Sequence, residues 1–296
     1  MRGLIKSAIS LGLLGFAIFW WLTQPATLPD QAMAGLTGDA ARGEQVFYAG
    51  GCASCHAAPK AEGDARLVLS GGQKFPSPFG TFLAPNISPD ATHGIGSWSA
   101  RDLANAMING TSPDGAHYFP AFPYTSYAKA SLQDIADLSV FLPTLPASDT
   151  PSLEHEVGFP FNIRRGLGLW KLLFTGKDWL LTGDLSDELI RGRYLVEGLG
   201  HCSECHTPRN PIGGLDRSAW LGGAVLPDGK SKVPNITPAK LLWSEGDIAY
   251  YLETGFTPDF DAAGGSMASV VLNTGKLPAS DRAAIAAYLK AIPPVE

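Results

Sequence analysis

Two short segments of this chain share one spacing of cysteine and histidine that points to a single chemistry. Residues 52–56 read CASCH and residues 202–206 read CSECH. Two thiols separated by two residues can add to the two vinyl groups of one haem, and the adjacent histidine then lies under the iron. The predicted attachment residues are Cys52, Cys55, Cys202 and Cys205, and the predicted proximal iron ligands are His56 and His206. The sequence therefore predicts two covalently bound haem c cofactors.

Other uses of paired cysteines fit the sequence less well. A zinc site would need the two pairs brought together or further ligands at zinc-finger spacing. A thioredoxin-type pair would need a βαβ pattern around it, and the flanking residues show none. The chain has 4 cysteines and the two motifs use them all, so no structural disulfide is expected.

A distal iron ligand for the second motif can be proposed from position. Met267 follows a glycine-rich stretch and precedes the final predicted helix, where a c-type domain presents its distal ligand. Methionine is a common partner of histidine in this role, and it raises the reduction potential. The alternative for Met267 is a side chain that only fills the core.

The corresponding position of the first half departs from this pattern. Phe122 stands as far beyond Gly110 as Met267 stands beyond Gly255, and phenylalanine cannot ligate iron. His117, in the same loop, is the favoured ligand. Met107 and an open iron are the alternatives.

The remaining candidate side chains have weaker signals. His93, His155 and His201 are expected at the surface or in hydrogen bonds. Arg209 is a candidate partner for a haem propionate, because arginine forms bidentate contacts with carboxylates.

The two halves of the chain repeat each other beyond these motifs. A proline-asparagine-isoleucine phrase follows each histidine, and a Trp-Ser pair opens a helix that should end at a glycine. The phrases are 85–89 and 234–238, and the predicted helices cover 38–48, 99–110 and 132–142 in the first half and 189–195, 244–255 and 281–289 in the second. The predicted organisation is an anchor (1–24), a first domain (37–148), a connector (149–183) and a second domain (184–296), with both domains all-α and rich in loops.

The N-terminus predicts a membrane anchor. Arg2 and Lys6 precede an apolar run that ends at Trp20 and Trp21, close to the ~20 residues that span a bilayer. The positive charges predict a cytoplasmic N-terminus, and the rest of the chain then faces the periplasm. A cleaved signal peptide, with a site at residues 32–34, is the alternative.

Two other segments or properties bear on partners. The connector residues 159–179 are apolar with a few basic side chains, and they either wrap between the two domains or lie on the membrane surface. The formal net charge is -6 and no basic run is present, so nucleic-acid binding is not expected.

The phrases around the motifs resemble the membrane-anchored cytochrome c subunits of bacterial quinoprotein and flavin-linked dehydrogenases for alcohols, sugars and aldonic acids. The resemblance rests on residues 52–56, 85–90, 94–99, 118–124, 201–208 and 265–267. It implies two tandem class I cytochrome c-like domains and electron transfer from a periplasmic dehydrogenase or quinol-linked donor towards a terminal oxidase or small cytochrome. Those subunits typically carry a third haem, and they commonly have methionine where this chain has Phe122.

Electron transfer is therefore the expected function, without catalysis by the chain itself. A dihaem enzyme, such as a peroxidase or an oxidase of sulfur compounds, is the alternative, since Phe122 leaves the first iron without its usual ligand. A gas sensor would need a signalling domain, and the sequence contains none.

Overall fold

The computed structural model describes all 296 residues. Twelve helices and two short β-hairpins are joined by long loops. In chain order they are α1 (Arg2–Leu22), α2 (Ala40–Ala49), α3 (Cys52–His56), β1 (Lys74–Ser77), β2 (Gly80–Leu83), α4 (Ala100–Ala104), α5 (Tyr124–Tyr127), α6 (Leu132–Phe141), α7 (Leu167–Phe174), α8 (Asp187–Arg193), α9 (Ser203–His206), β3 (Ala224–Val225), β4 (Lys232–Val233), α10 (Glu245–Thr254), α11 (Gly265–Thr274) and α12 (Ala279–Ala291).

A pair of crossing helices frames the first motif. A Cβ atom at Gly43 in α2 would lie 2.1 Å from the backbone oxygen of Asp137 in α6, so the crossing requires glycine. Arg42 Nε donates to Asp137 Oδ2 at 2.8 Å beside this contact. The arginine hydrogen bond holds the pKa of Asp137 below its usual range.

The second half contains the same crossing with the same chemistry. A Cβ at Gly192 in α8 would lie 2.0 Å from the oxygen of Ala284 in α12. Arg191 Nη2 donates to Asp281 Oδ2 at 2.7 Å. An arginine-glycine pair thus places one helix against another just before each cysteine motif, which explains the repeat seen in the sequence.

The predicted helix ends at the Trp-Ser phrases are confirmed. Ser99 caps α4 and Ser244 caps α10, each in a reciprocal capping box with an aspartate three residues later. The α4 helix continues as a π-helical turn (Asn105–Asn109) that stops at Gly110, whose φ is 57°. The α10 helix stops at Gly255, whose φ is 81°. Both glycines adopt the left-handed conformation that ends helices.

The two hairpins are absent from the all-α prediction. Strands β1 and β2 pair antiparallel, as do β3 and β4. The strands are too short for an alternating pattern to stand out in the sequence. Gly80 has a φ of 128°, and a Cβ there would lie 2.4 Å from the oxygen of Glu156, so the connector backbone lies directly against the first hairpin.

Two hydrophobic clusters form the core, one in each half of the chain, and they meet. The first cluster includes Leu199 from the second half, and Ala49 from the first half packs against the second cluster. The two halves that the sequence analysis treats as domains are therefore packed against each other.

The connector contacts both halves, as one of the two sequence interpretations expected. In α7, Trp170 Nε1 donates to the oxygen of Ile212 at 2.8 Å, and its ring packs edge-on against Tyr124. Lys171 Nζ donates to the oxygens of Asn109 and Gly110, both at 2.7 Å. The connector thus helps to fix the halves relative to each other.

The N-terminal helix stands apart from this core. No residue of α1 is buried, and it is the one helix long and apolar enough to cross a membrane by length and composition. Its last turn nevertheless touches the connector, because Thr23, directly after the helix, is fully buried against Gly168.

Candidate functional site

The histidine of each CxxCH motif is oriented by one hydrogen bond of the same kind. His56 Nδ1 lies 2.9 Å from the backbone oxygen of Pro85, and His206 Nδ1 lies 2.8 Å from that of Pro234. A carbonyl only accepts, so Nδ1 carries the proton and Nε2 keeps its lone pair. Metal-ligating histidines are commonly oriented in this way. Burial also lowers the pKa of both rings, which favours the neutral form that binds iron.

The proline oxygen is held by the asparagine that follows it. Asn86 Oδ1 accepts from the N–H of Ser88 at 2.8 Å, and its Nδ2 donates to the oxygens of Ser148 and Thr150. In the first half, a buried asparagine therefore fixes the loop beside the histidine.

The second half builds its loop in the same way. Asn235 Oδ1 accepts from the N–H of Thr237 at 2.8 Å, and its Nδ2 donates to the oxygen of Val295 at 2.7 Å. The repeated phrase in the sequence is thus the support of the histidine.

The four cysteines are partly buried, and burial dominates the pKa of each thiol. Burial raises the pKa of Cys52 and Cys202 to about 12 and that of Cys55 to about 11. Redox-active and metal-binding cysteines instead have lowered pKa values beside positive groups. Nowhere do three or more His, Cys, Asp or Glu side chains come close enough to hold a metal ion, so a zinc site has no support.

A large apolar cavity opens beside the first motif. Its volume is about 550 Å³, and 21 of its 32 lining residues are hydrophobic. Cys52, Cys55 and His56 all lie on its wall. A pocket of this size and polarity suits a flat apolar ligand. The residues present therefore fit a haem attached through the two thiols.

Two side chains considered for the distal position of the first haem site lie on the cavity wall. Phe122 and Met107 both line the cavity. Met107 is buried in the first hydrophobic cluster, as the core alternative expected. Phe122 packs against Tyr118 and Tyr127 with ring centroids 5.9 and 5.7 Å apart.

His117, the favoured distal ligand in the sequence analysis, is not part of this cavity wall. Its Nε2 donates to the backbone oxygen of Thr23 at 2.9 Å, 94 residues away along the chain. The ring is buried beside the last turn of α1. The contact with Thr23 sets His117 apart from the wall of the first cavity, and iron ligation by His117 stays a prediction.

Met267 lies in the first turn of α11, where the sequence suggested a loop. It is partly buried and packs against the second hydrophobic cluster. Its role as the distal ligand stays a prediction.

Two histidines that were expected at the surface or in hydrogen bonds line the cavity of the first motif, and each has a hydrogen-bond partner. His155 Nδ1 accepts from the N–H of Leu83 at 3.1 Å, and His201 Nε2 lies 3.3 Å from the oxygen of Gly50. Each contact joins residues far apart in the chain, which a sequence pattern does not reveal. Arg209, proposed to bind a propionate, is paired with Glu204.

The first motif lies beside residues of the second half, since His201, next to Cys202, has its Nε2 3.3 Å from the oxygen of Gly50. Asn273 Nδ2 donates to Ser54 Oγ inside the first motif at 2.7 Å. Cys205 lies close enough to contribute to the raised pKa of Cys55. The attachment sites of the two halves therefore share one interface.

Known proteins that are similar to this chain are cytochromes or carry a cytochrome name for the matched part in most cases. Residues 40–146 match the cytochrome c family. The chain is 58% identical to a dihaem cytochrome c-type protein of Cereibacter sphaeroides over the whole length of both. It is 37% identical to the fructose dehydrogenase cytochrome subunit of Gluconobacter japonicus and 33% identical to the gluconate 2-dehydrogenase cytochrome c subunit of Pantoea cypripedii. The alignments cover 85% and 96% of this chain but only 52% and 64% of those subunits.

Proposed function

Since the chain belongs to the family of dihaem c-type cytochromes, we propose that it carries electrons through two haem c groups, one in each half. The observation that carries the proposal is the matched geometry of His56 and His206, each with Nδ1 bonded to a proline oxygen. Bound haem iron supplies a one-electron couple. The chain is an electron carrier and not a catalytic subunit.

The residues of each half have distinct roles in this proposal. Each pair of cysteines would hold its haem through two thioether bonds, and the following histidine would hold the iron through Nε2. Met267 is proposed as the distal ligand in the second half. Phe122 lines the first cavity at the position that corresponds to Met267, and its side chain cannot bind iron. The two haems would therefore differ in coordination and in reduction potential. The attachment residues are Cys52, Cys55, Cys202 and Cys205, and the histidines are His56 and His206.

The domain organisation follows the same repeat. We propose two tandem class I cytochrome c-like domains, at 37–148 and 184–296. The arginine-glycine helix crossings, the capped helices and the proline-asparagine loops occur once in each half and support this division. The contact between His201, next to Cys202, and Gly50, close to Cys52, places the two attachment sites near each other, which would favour electron transfer between them.

The partners are inferred from the relatives. Cytochrome subunits of fructose and gluconate dehydrogenases are among them, so the donor is proposed to be a dehydrogenase or a quinol-linked protein. The acceptor is proposed to be a terminal oxidase or a small cytochrome. Helix α1 is proposed to hold the chain in the inner membrane as a single span, with both haem domains in the periplasm.

A catalytic role at the first haem is the second candidate. Phe122 on the cavity wall favours it, since no ligating side chain occupies that position. His155 lies on the same wall, but its Nδ1 is already bonded to the N–H of Leu83. Electron transfer remains the better supported function, because the paired motifs and the relatives both agree with it.

Replacing Met267 by alanine is expected to remove a His/Met signature from the near-infrared magnetic circular dichroism of the oxidised protein. Because methionine raises the potential, the midpoint potential of that haem should fall by at least ~59 mV, a tenfold change in the electron equilibrium. Potentiometric titration of the purified protein measures this change.

Two variants in the first half serve as controls for Met267→Ala. Met107→Leu should leave the His/Met signature intact, since Met107 is a core residue. His117→Ala should leave the spectra of both haems intact, since His117 contacts Thr23. A His/Met signature that survives Met267→Ala would contradict the ligand assignment.

A further inference from the structure

The connector exposes a set of large apolar side chains, each to at least 40% of its surface. They are called here the connector face, and they are Phe159, Phe161, Ile163, Leu169, Leu172 and Leu173. Phe159 is 82% exposed and Leu173 is 71% exposed. So many large apolar side chains exposed within one short segment mark a candidate interaction site.

The connector face points away from the protein, because the opposite side of α7 is bonded to it. Leu169, Leu172 and Leu173 share one side of the helix, at three- and four-residue spacing. Trp170 and Lys171 face the protein, where they donate to backbone oxygens of Ile212, Asn109 and Gly110. The helix therefore has a bonded inner side and an unbonded apolar outer side.

The connector face is also fixed to the end of the N-terminal helix. Arg165 Nε donates to Thr23 Oγ1 at 2.9 Å, and its guanidinium lies 4.1 Å above the ring of Trp20. A Cβ at Gly168 would lie 2.6 Å from Cα of Thr23, so α7 and the end of α1 touch through their backbones. His117 adds a further contact, because its Nε2 donates to the oxygen of Thr23. We call these contacts around Thr23 the joint.

This joint sets the level of the connector relative to a membrane. If α1 spans a bilayer, Trp20 and Trp21 at its end lie at the interface, where tryptophan is preferred. The α7 helix starts in contact with that end, and eight residues of helix extend only about 12 Å. The connector face thus begins where the anchor leaves the hydrocarbon.

We propose that the connector face lies in the headgroup region of the bilayer that holds α1, as a second point of membrane attachment. The inference rests on the proposed membrane anchoring of α1. Burial of the apolar side chains drives the contact, because Arg165 and Lys171 are already bonded within the protein. Two attachment points joined at Thr23 fix the orientation of the haem-bearing halves relative to the membrane, which a single flexible span would leave free. His117 is then a positioning residue of this joint.

Spin labels on the full-length holoprotein in phosphatidylcholine vesicles test the proposal. Single cysteines replace Leu173 in the connector face, Leu13 in α1 and Leu242 in the second half. Leu242 is a matched control, since it is 80% exposed and far in sequence from the anchor. Power saturation then compares collision of each label with lipid-soluble oxygen and with a water-soluble nickel complex. Leu172→Cys gives an independent site if the Leu173 variant folds poorly.

The label at position 173 is expected to show an oxygen-to-nickel collision ratio several-fold higher than the label at 242, and the label at 13 a higher ratio still. Equal ratios at 173 and 242, with the label at 13 in lipid, would overturn the connector inference and leave the anchor in place. A label at 173 shielded from both reagents would also overturn it, in favour of a protein partner. Water exposure at 13 would overturn the anchoring itself, and the inference with it.

Discussion

A variant with Cys52 and Cys55 both replaced by alanine is expected to carry one covalently bound haem. The two thiols lie on the wall of the first cavity, and no other cysteine in that half can form a thioether. His56 alone would hold a haem by one coordination bond, which does not survive denaturation. Mass spectrometry under denaturing conditions and the pyridine haemochrome assay both measure the covalent haem.

The mirror variant, Cys202→Ala with Cys205→Ala, provides the matched comparison. It should also carry one haem, but it should lose the His/Met signature that the first variant keeps. Ser54→Ala changes the first motif without touching its thiols and should keep both haems. Two covalent haems in the Cys52/Cys55 variant would refute the assignment of that motif.

Replacing Lys129 by methionine is expected to lower the free energy of unfolding by about 3–5 kcal/mol. Lys129 from the first half and Glu197 from the second form an ion pair at 2.9 Å, with side chains 3% and 0% exposed. The variant leaves a buried carboxylate with only the hydroxyl of Tyr288 and the N–H of Leu180 as partners. A buried charge without its counter-ion is costly. Guanidinium unfolding followed by the Soret band measures the loss.

An exposed ion pair in the same chain is the control for this effect. Lys74 and Glu156 also pair at 2.8 Å, but their side chains are 60% and 56% exposed. Lys74→Met should therefore cost at most about 1 kcal/mol. Adding Glu197→Gln to Lys129→Met should restore part of the lost stability, because the uncompensated charge is removed. Equal effects of Lys74→Met and Lys129→Met would show that the buried pair does not hold the halves together.

The features that the sequence predicted correctly depend on short-range chemistry. Ser99 and Ser244 cap their helices through a residue three positions away, and Gly110 and Gly255 end theirs by their own backbone conformation. The repeated proline-asparagine phrase was recognised as a repeat. Its role as the support of each proximal histidine appeared only with the fold.

The features that the sequence did not predict depend on contacts between distant residues. The loop of His117 gives no sign of its hydrogen bond to Thr23, 94 residues away. The sequence allows a hydrogen bond for His155 but does not show that the connector places it on the cavity wall. Neither contact leaves a pattern in the sequence, since each is set by how loops cross in space.

The central claim is that the chain carries electrons on two haems of unequal coordination. Counting haems and electrons in the full-length protein tests it most directly, by combining the pyridine haemochrome assay with an optically monitored potentiometric titration. The account predicts two haem c groups and two electrons per chain, taken up at two separate midpoint potentials. One haem or one electron per chain would contradict it.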